Sequence, residues 1–127
     1  MKKYLKNIYD HHQIHTDFMH IGPILRLPQE MEIAAFRLVQ EAVQNAYKHA
    51  EATNIEVKIE FKPNRVIMVI KDDGKGFNPT EKKASSFGLI GMKERVNMLA
   101  GQLTIRSEPE KGTAIVIAIP IRNENNV

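Results

Sequence analysis

The chain has 127 residues, 43% of them hydrophobic but only 6% aromatic, and it carries a formal net charge of +3. That length and apolar content suit one domain with one aliphatic core and argue against disorder. Cysteine is absent, which excludes a disulfide framework, thiolate metal sites and a cysteine nucleophile.

Lys2 to His12 reads as a short helix, and Gln13 to His20 as an edge strand. Gly22-Pro23 and Pro28 punctuate the next stretch of chain. A long helix is predicted from about Gln29 to Ala50. Met31, Ala34, Ala35, Leu38, Val39, Ala42, Val43 and Ala46 recur at helical spacing, and Glu30 and Glu32 suit its positive end. Ile55, Val57, Ile59 and Phe61 alternate with Glu56, Lys58 and Glu60, the pattern of a half-buried strand. Pro63-Asn64 turns the chain into a more central strand, Val66 to Ile70, which ends at Asp72. A polar loop is expected from Asn78 to Phe87, then a helix from Met92 to Ala100 with Gly101 as its stop. Leu103 to Arg106 and Thr113 to Ile121 make the last strand pair, and the Asn-rich end reads as a frayed tail. Neighbouring strands joined by short turns predict an α+β fold. It is a two-layer sandwich with a mixed, mostly antiparallel sheet covered on one face by helices.

Four segments carry candidate chemistry. Glu41, Asn45 and Lys48 are spaced by four and three residues, so they share one side of the long helix at the margin of its apolar face. A carboxylate, an amide oxygen and an ammonium there suit Mg²⁺ and phosphate; a Glu–Lys surface pair is the alternative. Asp72-Asp73-Gly74-Lys75-Gly76-Phe77 follows a buried strand, and its glycines permit close backbone approach to a ligand. An ordinary Asp-Gly turn is the alternative there. Phe87-Gly88-Leu89-Ile90-Gly91-Met92 opens a helix, where backbone N–H groups can cradle phosphate; a flexible glycine junction is the alternative. Gly112-Thr113 begins a strand and, taken alone, reads as part of a hairpin turn.

Taken together and in this order, these segments resemble the N, G1, G2 and G3 boxes of the ATPase fold shared by sensor histidine kinases, Hsp90, type II topoisomerases and MutL. Phe36-Arg37-Leu38-Val39-Gln40-Glu41-Ala42, Lys48-His49-Ala50 and Gly88-Leu89-Ile90-Gly91-Met92-Lys93-Glu94-Arg95-Val96 look like one branch of the histidine kinases. That branch comprises the nitrate, degradative-enzyme and cell-wall-stress sensor kinases, which pair with LuxR-type response regulators. The resemblance covers about Ile14 to Ile121 and implies ATP and Mg²⁺ as cofactors. It implies Asn45 as the Mg²⁺ ligand, Glu41 beside the metal's water, and Lys48 and His49 toward the phosphates. Asp72 would be the adenine-binding acid, Gly74 and Gly76 the pocket wall, and Gly88, Leu89, Gly91 and Met92 the phosphate-side turn after a lid at about Asn78 to Phe87. Thr113 would support adenine through water.

In this family the phosphate goes to a histidine on a dimeric helical hairpin that precedes the ATP-binding domain. That hairpin and a sensor segment are not found in residues 1–127, which are expected to form one ATP-binding domain with its core at about 14–121. His11 and His12 follow Asp10 rather than preceding an acidic residue, so neither is expected to accept phosphate. The expected partners are that phosphoacceptor and dimerisation domain and, indirectly, a LuxR-type response regulator. No apolar run nears the ~18 residues that span a bilayer, and no signal-peptide core comes after Met1-Lys2-Lys3-Tyr4. A cytoplasmic domain without membrane contact is therefore expected, and, since the hairpin makes the dimer in this family, a monomer. The scattered basic residues lack interleaved aromatics, so no nucleic-acid partner is expected. An anti-sigma-factor serine kinase and a nucleotide-sensing module without transfer activity share the boxes. Completeness of the boxes and the Gly91 to Val96 segment favour the histidine kinase.

Overall fold

In the computed structural model, which describes residues 1–23, 27–78 and 88–121, the long amphipathic run becomes α2 (Gln29–Lys48). Met31, Ala35, Leu38, Val39, Ala42, Val43 and Ala46 turn into the core. Burying an aliphatic side chain such as Leu38, which is fully enclosed, contributes about 1.5–3 kcal/mol. Pro28 is the N-cap residue of the helix; its carbonyl accepts from Met31 and Glu32 N–H, both at 3.0 Å. The other end stops at Lys48, short of Ala50. Glu51 takes a left-handed φ of 52°, and Ala52 N–H donates back to Ala46 O at 3.1 Å, which closes the last turn.

The other described elements are α1 (Lys2–His12), β1 (His15–Ile21), β2 (Asn54–Lys62), β3 (Arg65–Asp72), α3 (Leu89–Met98), β4 (Gln102–Ser107) and β5 (Thr113–Pro120). The five strands form one sheet in the order β1-β2-β3-β5-β4. β1 runs parallel to β2 at one edge, and every other pairing is antiparallel. The mixed sheet and the central place of β3 agree with the sequence reading. The polar loop beyond Asn78 and the tail from Arg122 lie outside the described residues.

Register explains the core. Phe18, Val57, Ile70, Ile115 and Ile105 are successive cross-strand partners, so one apolar row crosses the whole sheet. A parallel row runs through Ile59, Met68, Ile117 and Leu103. Leu5 and Ile8 of α1, the α2 stripe, and Met92 and Val96 of α3 pack with this face in one cluster. His12 extends that contact by stacking on Tyr47, with ring centroids 4.1 Å apart.

α3 starts at Leu89, a turn earlier than expected for its body, because Gly88 takes a φ of 70° at the N-cap. At its far end the left-handed residue is Ala100 (φ 58°), not Gly101. Gly101 is needed for space instead: a Cβ there would lie 2.5 Å from Ala118 O.

Asp73 fixes how β2 begins. Its Oδ1 accepts from Thr53 N–H (2.8 Å) and Asn54 N–H (2.9 Å), and its Oδ2 accepts from Thr53 Oγ1 (2.6 Å) and Asn54 Nδ2 (2.8 Å). The slight burial of the carboxyl opposes its charge, but these donors outweigh that and hold its pKa well below the usual carboxylate range. A depressed folded-state pKa adds stability above the unfolded pKa, near ~3.9, that is lost as pH falls toward the folded value. Asp73→Ala should therefore lower stability at pH 7 and weaken the dependence of stability on pH below about 4. Urea midpoints measured across an acid pH series check this; an unchanged acid slope would refute the clamp.

Candidate functional site

Strand alternation carries the site out of the core. Val66, Met68 and Ile70 face inward, and the same period places Asp72 on that inward face at the end of β3. Across the sheet Asp72 pairs with Thr113, and Thr113 pairs with Ser107. A polar row therefore lies directly beside the apolar row Val57, Ile70, Ile115 and Ile105.

The row is internally hydrogen-bonded. Asp72 Oδ1 accepts from Gly74 N–H at 2.8 Å. Ser107 Oγ and Thr113 Oγ1 lie 2.8 Å apart, and Ser107 Oγ accepts from Phe77 N–H at 2.8 Å. Burial raises the Asp72 pKa above the ordinary carboxylate value, and the neighbouring Asp73 charge adds to that. Backbone donors at Gly74 and Thr113 oppose the shift. Asp72 thus differs from Asp73 beside it: one is partly buried with few donors, the other exposed with four.

Backbone proximity shapes the turn after Asp72. Lys75 N–H donates to Ala50 O at 2.7 Å, and a Cβ at Gly74 would sit 2.5 Å from that same oxygen. Gly76 has a φ of 64°, and a Cβ there would overlap the Glu108 carbonyl. Glu110 N–H donates to Lys75 O, completing the contact with the β4–β5 turn. The turn from Asp72 to Gly76 is therefore wedged between the end of α2 and the β4–β5 turn.

A cleft opens above it. Asn45 of α2 and His49 just beyond its end line it with Asp72, Gly76, Leu89 and Thr113, all predicted from sequence. Ala42, Ala50, Phe77 and Ile115 complete the lining. Apolar walls around a few convergent polar groups are the make-up of a small-molecule site.

Other predicted residues lie elsewhere. Gly74 is buried against Ala50, behind the lining. Lys48 is exposed and is not part of the lining. Met92 is fully buried and fills core space. Gly91 falls inside α3, exposed, with open space where a Cβ would be. Glu41 faces α3, where its Oε2 accepts from Arg95 Nη1 at 2.6 Å. Sequence reasoning missed Ser107 and the Arg95 contact. The Ser107–Thr113 pairing across the last hairpin was the available signal for the first.

Among the described residues no cluster of three His, Asp or Glu side chains is placed to hold a metal, and no helix is long and apolar enough to cross a membrane. Magnesium needs no such cluster when a substrate's phosphates and water supply most of its oxygen ligands. The Asn45 amide in the cleft fits that donor set, whereas Glu41 is already engaged by Arg95.

Residues 30–123 match the family described as histidine kinase-, DNA gyrase B-, and HSP90-like ATPase, and the chain belongs to that family. Its relatives include the signal transduction histidine-protein kinase/phosphatase DegS of Brevibacillus brevis, 58% identical over 98% of this chain and 32% of that protein. DegS of Bacillus subtilis (strain 168) is 46% identical over 95% of this chain and 33% of its own length. The oxygen sensor histidine kinase NreB of Staphylococcus carnosus (strain TM300) is 34% identical over 94% and 34%. The chain spans about a third of the length of these curated relatives. Among solved structures, the blue-light activated histidine kinase of Erythrobacter litoralis EL346 superposes with a TM-score of 0.75 at 18% identity, covering 99% of this chain and 42% of that one. The catalytic domain of histidine kinase ThkA gives 0.74 at 17% identity, covering 94% and 88%. At these identities the structures establish the fold: an α+β sandwich with the mixed sheet of histidine kinase catalytic domains.

The glycines make opposite predictions. Gly74→Ala should destabilise by about 1–3 kcal/mol, because its methyl group meets backbone. Gly91→Ala should stabilise by about 0.5–1 kcal/mol, since it sits in an exposed helix interior. Urea denaturation of both variants checks the pair. Equal effects would show that the packing around these glycines is misassigned.

Proposed function

We propose that the cleft binds Mg²⁺·ATP and that the γ-phosphate passes to a histidine on a separate phosphoacceptor and dimerisation domain. The observation that carries this reading is the inward-facing Asp72, partly buried among apolar walls at the foot of the cleft. Its carboxylate accepts the adenine amino hydrogen, and Thr113 supports the ring through a bridging water. Gly76 forms part of the wall that the base approaches, and Gly74 lets the turn seat against Ala50 behind it. The names and identities of the relatives favour histidine over serine as the acceptor.

Asn45 would hold the metal, and Glu41 would lie beside its water. His49 lies in the cleft and turns toward the phosphates, and Lys48 reaches them from its exposed place on the same helix. Magnesium, when bound, neutralises charge on the phosphate oxygens. The N–H groups at the start of α3, at Gly88, Leu89 and Gly91, would face the phosphate end, whereas the Met92 N–H already donates to Gly88 O at 3.0 Å. In the transfer, the bond from the γ-phosphorus to its bridging oxygen breaks, an imidazole nitrogen bonds to phosphorus, and ADP leaves with the electron pair. The protein's contribution is positioning and electrostatics. A LuxR-type response regulator receives the phosphate next. The domain acts as a monomer on the cytoplasmic side, without touching nucleic acid or membrane.

Supplying the cognate helical hairpin with labelled ATP tests the reaction. Acid-labile, base-stable label on the hairpin is expected; phosphoserine on a partner would refute histidine transfer. Asp72→Asn separates binding from folding. It should weaken ATP by about 1.5–3 kcal/mol for a lost charge-assisted hydrogen bond. The Asp72 pKa is raised in the fold, so its protonated form stabilises below the unfolded pKa, and that gain is lost as pH rises through the folded value. At pH 7 the variant should therefore melt no lower than wild type. Unchanged ATP affinity would sink the pocket assignment. Asn45→Ala should remove the Mg²⁺ dependence of binding.

A further inference from the structure

Glu41 is held in an unusual place for a carboxylate beside a helix start. Its Oε1 lies so close to Gly88 that a Cβ there would be 2.6 Å away, and Gly88 is the N-cap of α3. A helix N-terminus offers N–H groups that a carboxylate ordinarily caps. Yet among the described residues Glu41 makes no hydrogen bond to the α3 backbone, and no side-chain cap closes this end. Its Oε2 accepts instead from Arg95 Nη1 at 2.6 Å. Arg95 lies near the far end of the same helix, and both side chains are partly exposed, at 48% and 26%.

Two attractions therefore compete for one carboxylate. The α3 amides carry only partial positive charge, whereas the guanidinium carries a full one and forms the stronger, charge-assisted bond. Without Arg95 the Glu41 carboxylate, already beside Gly88, is left next to the helix start that the proposed reading gives to the phosphates. A carboxylate there would block those amides and repel an incoming polyanion.

We propose that Arg95 is a positioning residue, holding Glu41 off the start of α3 so that the amides and the local charge stay open to the ligand's phosphates. The inference rests on reading the cleft as a nucleotide site. It adds a residue on α3 that sets phosphate affinity without lining the adenine pocket. Its signature is an effect that grows with the number of phosphates.

The test is displacement of a fluorescent ATP analogue by adenosine, AMP, ADP and ATP, in EDTA and again in Mg²⁺. Arg95→Gln should bind adenosine as wild type does and bind ATP about three- to tenfold more weakly, the range that a charge at a helix terminus is worth. Arg95→Lys keeps the charge and should retain most of the ATP affinity. In EDTA, where no metal role of Glu41 enters, the double variant Glu41→Gln/Arg95→Gln should recover the wild-type preference for ATP over adenosine. A thermal melt verifies that each variant is folded. Equal losses for adenosine and ATP would reduce Arg95 to a structural tie between helices and overturn the inference, as would failure of the double variant to recover. Wild-type protein that binds no nucleotide in either buffer would instead overturn the nucleotide reading itself.

Discussion

The hydrogen bond from Lys75 N–H to Ala50 O is the contact on which the cleft depends. It brings the strand end that carries Asp72 against the helix end that carries Asn45 and His49. The approach is possible only because Gly74 has no Cβ to strike the same carbonyl. From the other side, Glu110 N–H and the Glu108 carbonyl close on the turn at Lys75 and Gly76. Three sequence-distant segments thus meet at one short turn, and each brings a different group to the cleft.

The cleft sits where the sheet's inner face changes from apolar to polar without changing direction. Asp72 occupies a position that the alternation of β3 assigns to the core, and burial raises its pKa accordingly. A neutral residue would suit the fold at least as well. The charge there is a cost to stability that the Gly74 N–H donor only partly offsets. Asp73, one residue on, has the opposite relation to the fold, because its donors reward ionisation.

Much of this was legible in the sequence. The apolar spacing of α2, the alternation of β2 and the paired strands at the end gave the layers, and the four boxes named most of the cleft. Two kinds of detail were not legible. Helix ends depended on single residues adopting left-handed angles, such as Glu51 and Ala100, which are not glycine. Side-chain destinations depended on how α2 and α3 pack. Spacing placed Glu41 and Asn45 on one side of α2, but it could not say that Glu41 would turn to Arg95 while Asn45 stayed in the cleft. Likewise Gly91 and Met92 belong to one motif, yet the helix sends one to solvent and the other to the core.

The parallel edge pairing of β1 with β2 has a consequence for the order of assembly. The two hairpins, β2–β3 and β4–β5, join strands that are neighbours in sequence and can form early. β1 can pair only after the whole of α2 has been laid across the sheet, and such non-local closure is slow. The helix bearing Asn45 is the crossover that this closure traps. The cleft is therefore expected among the last features to mature, and a ligand that bridges α2 and β3 would favour the completed fold over its precursors by mass action.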